Sequence, residues 1–211
     1  DVYKRQGQLR TPYGGQIYLL GPSVNNTGTI EAPGGRVGLV GASPVELVDS
    51  ASPFMTLKVP LKDGQVQHTG SVSAQRIDVH GAVVNQGGAL NATSMTLNEQ
   101  GQIVLRASQN MTLTAESSTV APGGTIEART EQGTLQVAGK VDASALSTGH
   151  GGSVVLWGEQ GLSVTGSVAA RGGEQGGNGG FIETSTHGWL DVRTVPCLLY
   201  TSPSPRDVEE S

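Results

Sequence analysis

Apolar and polar positions alternate in short bursts along this chain, and a glycine opens each burst. Gly15 is followed by Ile17 and Leu19, Gly35 by Val37 and Leu39, and Gly101 by Ile103 and Leu105. Gly124 is followed by Ile126 and Ala128, Gly152 by Val154 and Leu156, and Gly180 by Ile182 and Thr184. An i, i+2 alternation sets every second side chain on one face of a strand. A second phrase returns between these: glycine, any residue, an aliphatic, any residue, alanine. It begins at Gly28, Gly70, Gly88, Gly139 and Gly166. A third consists of two apolar residues one apart, as in Leu135/Val137, Leu162/Val164 and Ile77/Val79. Strand phrases that repeat this literally predict like stacked on like.

The spacing sharpens that expectation. Gly124, Gly152 and Gly180 stand 28 residues apart, and Gly15 and Gly35 stand 20 apart. Units of about 20–30 residues holding two or three short strands fit one turn of a parallel β-helix. The fold class expected is therefore all-β, a β-solenoid forming one domain and a fragment of a longer rod. Seven rungs at about 4.8 Å each would span roughly 30–35 Å. Glycine is expected at the corners because it reaches backbone angles that other residues reach at a cost. A narrow interior favours Val, Ile, Leu and Ala, and aromatics make up only 4% of the chain. No stretch carries a 3.6-residue apolar period, so almost no helix is expected. A β-sandwich would not repeat its strands so literally, and a disordered chain would lack the regular aliphatic alternation.

The pattern divides the chain into segments. Residues 7–42 and 70–195 read as solenoid rungs, and 43–69 as an irregular rung or an extra hairpin. In that middle segment Asp63-Gly64 is a turn signal between Leu57-Lys58-Val59 and Val66, and Phe54 and Met55 would cover an apolar patch. Residues 1–6 and 196–211 fall outside the pattern. Both ends resemble translated sequencing-adapter tails, the second reading alternatively as a natural disordered tail, and the single cysteine, Cys197, lies in the second. A cysteine-free natural stretch suits export through a disulfide-forming compartment.

Charge and chemistry narrow the function. The formal net charge is −5, with the basic residues scattered singly, so nucleic acid is not an expected partner. No run of 18 apolar residues is present to span a bilayer as a helix. His68, His80, His150 and His187 show no metal-ligand spacing, although His150 and Asn178, 28 apart, would stack as neighbours. The glycine-rich run over 172–180 lacks the Lys-Ser/Thr of a phosphate-binding loop and reads as a corner. Asp78, Asp142 and Asp191 do not align at the repeat period. Glu127 and Glu183 do, but with Val155 between them, about 9–10 Å apart; that is too far for a retaining carboxylate pair and at the edge of the inverting range. No catalytic residue, metal or cofactor is expected. Tyr18, Trp157 and Trp189 have outward parity and are weak candidates for surface contacts with a glycan or a protein.

The run Gly14-Gly15-Gln16-Ile17-Tyr18-Leu19-Leu20-Gly21-Pro22-Ser23-Val24-Asn25-Asn26-Thr27-Gly28-Thr29-Ile30 resembles the filamentous haemagglutinin-like exoproteins of bacterial two-partner secretion. Val45-Glu46-Leu47-Val48-Asp49, Ile77-Asp78-Val79-His80-Gly81-Ala82-Val83-Val84-Asn85-Gln86 and Gly177-Asn178-Gly179-Gly180-Phe181-Ile182-Glu183-Thr184-Ser185 are similar to the same family. The likeness covers about residues 10–195. It implies a right-handed parallel β-helix, secreted to the surface of Gram-negative cells by a partner β-barrel transporter in the outer membrane. Family members act as adhesins, haemolysins or stems of contact-dependent toxins, with surface glycans or proteins as partners. The Asn-Pro motif of the family's secretion domain is absent here, which places this stretch at the end of that domain and the start of the stem. The expected role is a non-catalytic stem segment; the alternative is a carbohydrate-active β-helix lyase or hydrolase.

Overall fold

A computed structural model describes residues 7–42, 63–93 and 100–197, with the backbone of the strands Val2–Arg5, Glu46–Val48 and Thr56–Lys58. It is all-β, and no helix occurs among the described residues. Two parallel sheets carry nearly every strand. The first has eight strands: Val2–Arg5, Ser23–Asn26, Gln65–His68, Val83–Gln86, Met111–Leu113, Thr134–Val137, Gly161–Val164 and Trp189–Val192.

The second sheet has two arms. Its leading arm stacks Gln8–Arg10, Ala89–Ala92, Ser118–Val120, Lys140–Asp142 and Ser167–Ala169. Its trailing arm stacks Gln16–Gly21, Gln102–Ala107, Thr125–Thr130, Ser153–Gly158 and Phe181–Thr186. Thr29–Gly41 and Ser71–Gly81 are long enough to run through both arms and join them. The chain visits first sheet, leading arm and trailing arm in that order, again and again. Thr125, Ser153 and Phe181 are register partners, as are Gln16 and Arg36. These are the 28- and 20-residue spacings read from the glycines.

Each strand points alternate side chains inward. In the trailing arm one inward ladder reads Ile17, Val37, Ile77, Ile103, Ile126, Val154 and Ile182. Val37, Ile77, Ile103, Ile126 and Val154 are wholly buried. β-Branched residues suit this ladder because their single favoured rotamer repeats from strand to strand without loss of packing. Burying each stabilises the stack by about 1.5–3 kcal/mol. Leu190 and Val192 hold inward positions in the last strand of the first sheet, yet remain exposed.

The glycines do a different job from the one expected of them. A Cβ added to Gly35, Gly124, Gly152 or Gly180 would strike the carbonyl oxygen of Gly15, Gly101, Gly124 or Gly152, respectively. These residues are glycine because backbone meets backbone across successive strands, not because they bend. The bend falls one residue earlier. Gly15 donates its N–H to the Pro12 carbonyl across Gly14, whose φ is 75°, and Gly124 donates to Ala121 across Gly123, whose φ is 61°. Both are turns that require a positive φ at their third residue.

In the middle segment the turn expected at Asp63-Gly64 falls elsewhere. Glu46–Val48 pairs antiparallel with Thr56–Lys58, with Leu47 opposite Leu57. Asp63-Gly64 is therefore not the turn of a hairpin joining Leu57 to Val66. Gln65–His68 instead lies parallel between Ser23–Asn26 and Val83–Gln86, and Gly64, with φ of 122°, leads into it. Phe54 and Met55 lie outside the described residues.

Two stretches set apart by the pattern still join the stack. Val2–Arg5 pairs with Ser23–Asn26, and Cys197 bridges Ala169 in the leading arm. Backbone pairing at a strand edge asks little of the side chains, so an edge recruits chain whatever its sequence.

Candidate functional site

The outward face of the trailing arm carries a group of charged side chains, several of which pair within the sheet. Arg76 donates through Nε and Nη2 to Asp78, two residues along the same strand, and through Nη1 to Gln102 Oε1 at 2.7 Å. Arg129 and Arg106 both reach Glu127. The other arms repeat the arrangement, with Lys140 on Asp142 and Arg193 on Asp191. Pairs of this kind, open to water, are screened and contribute little to stability.

The carboxylates that could serve catalysis are thereby dispersed and engaged. Asp78 lies in the trailing arm, Asp142 in the leading arm and Asp191 in the first sheet. Glu127 and Glu183 share a register position with Val155 between them, and Glu183 accepts from Ser185. Among the described residues no three metal-ligating side chains gather. His150 and Asn178 do meet, the Asn178 N–H donating to His150 Nδ1 at 3.0 Å.

The three aromatics singled out in the sequence lie apart. Tyr18 crosses Gly38, and its hydroxyl donates to Gln16 Oε1 at 3.1 Å. Trp157 is half-buried. Its indole N–H donates to Glu159, Arg129 lies 5.2 Å from its ring centre, and His187 meets it edge-on at 5.0 Å. His187 also bonds Glu159, and that bond, with the one from Trp157, holds the Glu159 carboxyl below its ordinary range. The face and edge of Trp157 are thus already in use. Trp189 covers Gly161 and keeps 49% of its surface exposed.

A groove of about 360 Å³ opens where the two arms meet. Gln16, Arg36, Gln75, Arg76, Gln100 and Gln102 line it, beside Gly14, Gly34 and Gly35. Its origin is a missing turn. The corner between the arms is Pro12–Gly15 in one circuit and Pro33–Gly35 in the next, but Gln75 alone in the third. The register shift between Ala32 and Arg36, against Ala74 and Arg76, records the two residues left out. Tyr13, 62% exposed, lays its ring on Gly34 at the rim.

The aromatics drew attention in the sequence; this groove did not. Gln16, Arg36 and Gln102 each follow the first-phrase glycine, so a signal existed. Arg76 follows Gln75, and nothing in the sequence marks it as their register partner.

Inside the first sheet runs a second feature without a clear sequence signal. Asn26, His68 and Gln86 occupy one inward position on successive strands and are all buried. The Asn26 Oδ1 accepts from Gly28 N–H, which turns its amide nitrogen toward His68 Nδ1 at 3.0 Å. The imidazole proton therefore resides on Nε2, facing the Ala89 carbonyl at 3.3 Å. Burial pushes His68 below the ordinary imidazole range, against the opposing pull of its bonds to Ala89 and Asn26.

No protein-family model matches this chain, and no curated protein matches it at a significant level.

Proposed function

We propose that the chain is a right-handed parallel β-helix serving as a non-catalytic stem segment of a large secreted exoprotein of the filamentous haemagglutinin-like type. The observation that carries this reading is the in-register repetition of inward aliphatics across three strand columns, from Ile17 to Ile182 in the trailing arm. A parallel strand–crossover–strand connection is right-handed in nearly all proteins, which supports the hand. Stability built from nearest-neighbour contacts suits a chain that folds progressively as it leaves a transporter. The local pairing of Asp78, Glu127, Asp142 and Asp191 with basic neighbours supports a mechanical role over a hydrolytic one. On this reading the protein reaches the cell surface through an outer-membrane β-barrel partner and displays distal binding regions.

A chimera tests it. Residues 7–195 inserted between the secretion domain and stem of a two-partner exoprotein should reach the medium in protease-resistant form. Retention in the periplasm, or degradation at the insert, would reject the stem reading. Incubation with acidic polysaccharides tests the absence of catalysis: cleavage that disappears in Glu127→Ala or Glu183→Ala would make the chain an enzyme.

A further inference from the structure

We infer that Asn178 is a site of spontaneous covalent modification. Its side chain closes on the Gly179 nitrogen to form a cyclic imide, water opens the imide to aspartate and isoaspartate, and the change releases the surrounding corner. This goes beyond the stem reading and does not depend on it.

Residues 143–152 and 170–180 make the corner between the leading and trailing arms on successive circuits. Backbone bonds stitch the two corners together: Gly149 N–H to the Gly176 carbonyl, Gly173 N–H to Gly149 and Gln175 N–H to Ser147. Asn178 closes the seam. Its N–H donates to His150 Nδ1 at 3.0 Å, and its carbonyl accepts from Gly151 N–H at 2.9 Å. Gly176 and Gly177, with φ of 140° and 135°, lead into it. The Asn178 backbone is thus held while its side chain is exposed. Among the described residues neither that side-chain amide nor the Gly179 N–H meets a partner.

Asparagine is a labile residue, and Asn178 is the only one in the chain followed by glycine. Ring closure brings the side-chain Cγ onto the next backbone nitrogen, and a following glycine sets no Cβ in the way and turns most freely. Asn25 and Asn85 are followed by Asn26 and Gln86, whose backbone lies inside paired strands. There a ladder bond must break before the nitrogen can turn. At Asn178 the Gly179 nitrogen bonds to Cγ, the Cγ–Nδ2 bond breaks, and ammonia leaves with the proton that the nitrogen gives up. Water then adds to one of the two imide carbonyls. Opening at Cγ gives aspartate; opening at the main-chain carbonyl gives isoaspartate, whose backbone runs through the side chain with one extra carbon. Nothing is oxidised or reduced. With that extra carbon the N–H and carbonyl at 178 no longer reach His150 and Gly151 together, and the seam opens.

Ageing the full chain in mildly alkaline buffer, where the attacking nitrogen gives up its proton more readily, tests the assignment. Peptide mapping by mass spectrometry locates the amide-to-acid exchange, and labelling with isoaspartyl methyltransferase counts the isoaspartate. Asn178 should convert at least about tenfold faster than Asn25 or Asn85, a barrier difference of about 1.4 kcal/mol. The freedom of a glycine and one spared ladder bond together supply about that much. A glutamate-specific protease should then cut at Glu174 several-fold faster in the aged chain than in the fresh one, because a released corner opens locally. Asn178→Gln, with an unchanged melting temperature, should abolish both changes. Conversion of Asn178 no faster than Asn85 overturns the modification site, and conversion without faster cutting at Glu174 overturns the release.

Discussion

The first sheet changes character along its length. In its early strands the second inward position is polar: Asn26, then His68, then Gln86. From the next strand onward the same position is Leu113, Val137 and Val164, all buried and apolar. The corners change too. The early circuits shorten their corners from Pro12–Gly15 and Pro33–Gly35 to a single Gln75, and Glu46–Val48 pairs with Thr56–Lys58 in a separate sheet. The later ones keep a glycine at every corner, Gly101, Gly124, Gly152 and Gly180. One architecture thus holds together in two ways. Both regions share the aliphatic ladder; the late region keeps the close glycine approach at every trailing-arm corner and an apolar first sheet, while the early region drops the glycine at Gln75 and adds buried hydrogen bonds.

The largest effect expected follows from the glycine ladder. Gly152→Ala sets a methyl group against the Gly124 carbonyl, backbone that has no room to move. It should destabilise by about 2–3 kcal/mol, read from urea unfolding. At the corresponding corner of the early region, Gln75 already carries a Cβ, and Gln75→Ala should cost no more than the one polar contact it removes, about 1 kcal/mol. Equal losses at the two corners would erase the distinction between the regions.

The same distinction governs what could be read without coordinates. The late region was legible because a close backbone approach admits only one residue type, and so leaves a glycine at every circuit. The inward aliphatics were legible for the same reason: Ile103, Ile126 and Val154 repeat in both sequence and space. The shortened corner at Gln75 was not, since a strand that runs straight through leaves no glycine behind. Asp63-Gly64 misled because local turn chemistry says nothing of the partner. Gln65–His68 pairs with Ser23–Asn26, 42 residues back, and only the long-range stack decides that. Asn26, His68 and Gln86 each stand two residues before a second-phrase glycine, at Gly28, Gly70 and Gly88. Composition alone reads such residues as solvated.

An intermediate effect is expected from pH. The folded chain holds His68 neutral below its ordinary titration range, because burial opposes charge and a proton on Nδ1 would face the Asn26 amide hydrogens. Burial lowers His80 as well; Asp78 and Glu127 oppose this, while Arg106 and Arg76 add to it. The unfolded chain takes up these protons first. Stability should therefore be full above about pH 6.5 and fall as the pH drops from there toward the folded values. Most ordinary carboxylates titrate below about pH 4.5, which leaves a window for the histidines. In thermal melts His68→Gln should flatten part of the slope in that window, and His80→Gln most of the remainder. A slope unchanged in His68→Gln would show that the buried polar ladder does not titrate with folding.

The smallest effect is the most discriminating. Gln86 is the last polar member of the ladder, and its register partner is Leu113. Its Nε2 donates to the Gly88 carbonyl at 3.0 Å, but its Oε1 is buried without a partner. Gln86→Leu extends the apolar run by one strand and removes that orphaned oxygen. It strands nothing in return, because the Gly88 carbonyl still accepts from Ser118 N–H at 2.9 Å. A buried unsatisfied oxygen costs about 1 kcal/mol or more, roughly what one neutral hydrogen bond contributes. The substitution should therefore be neutral or stabilise by up to about 1 kcal/mol in urea unfolding. A loss of that size instead would mean that Asn26, His68 and Gln86 act as a cooperative unit, whose value exceeds the bonds counted one by one. The early region would then owe its polar interior to mutual support along the ladder, and the boundary with the late region would lie at Leu113 by necessity.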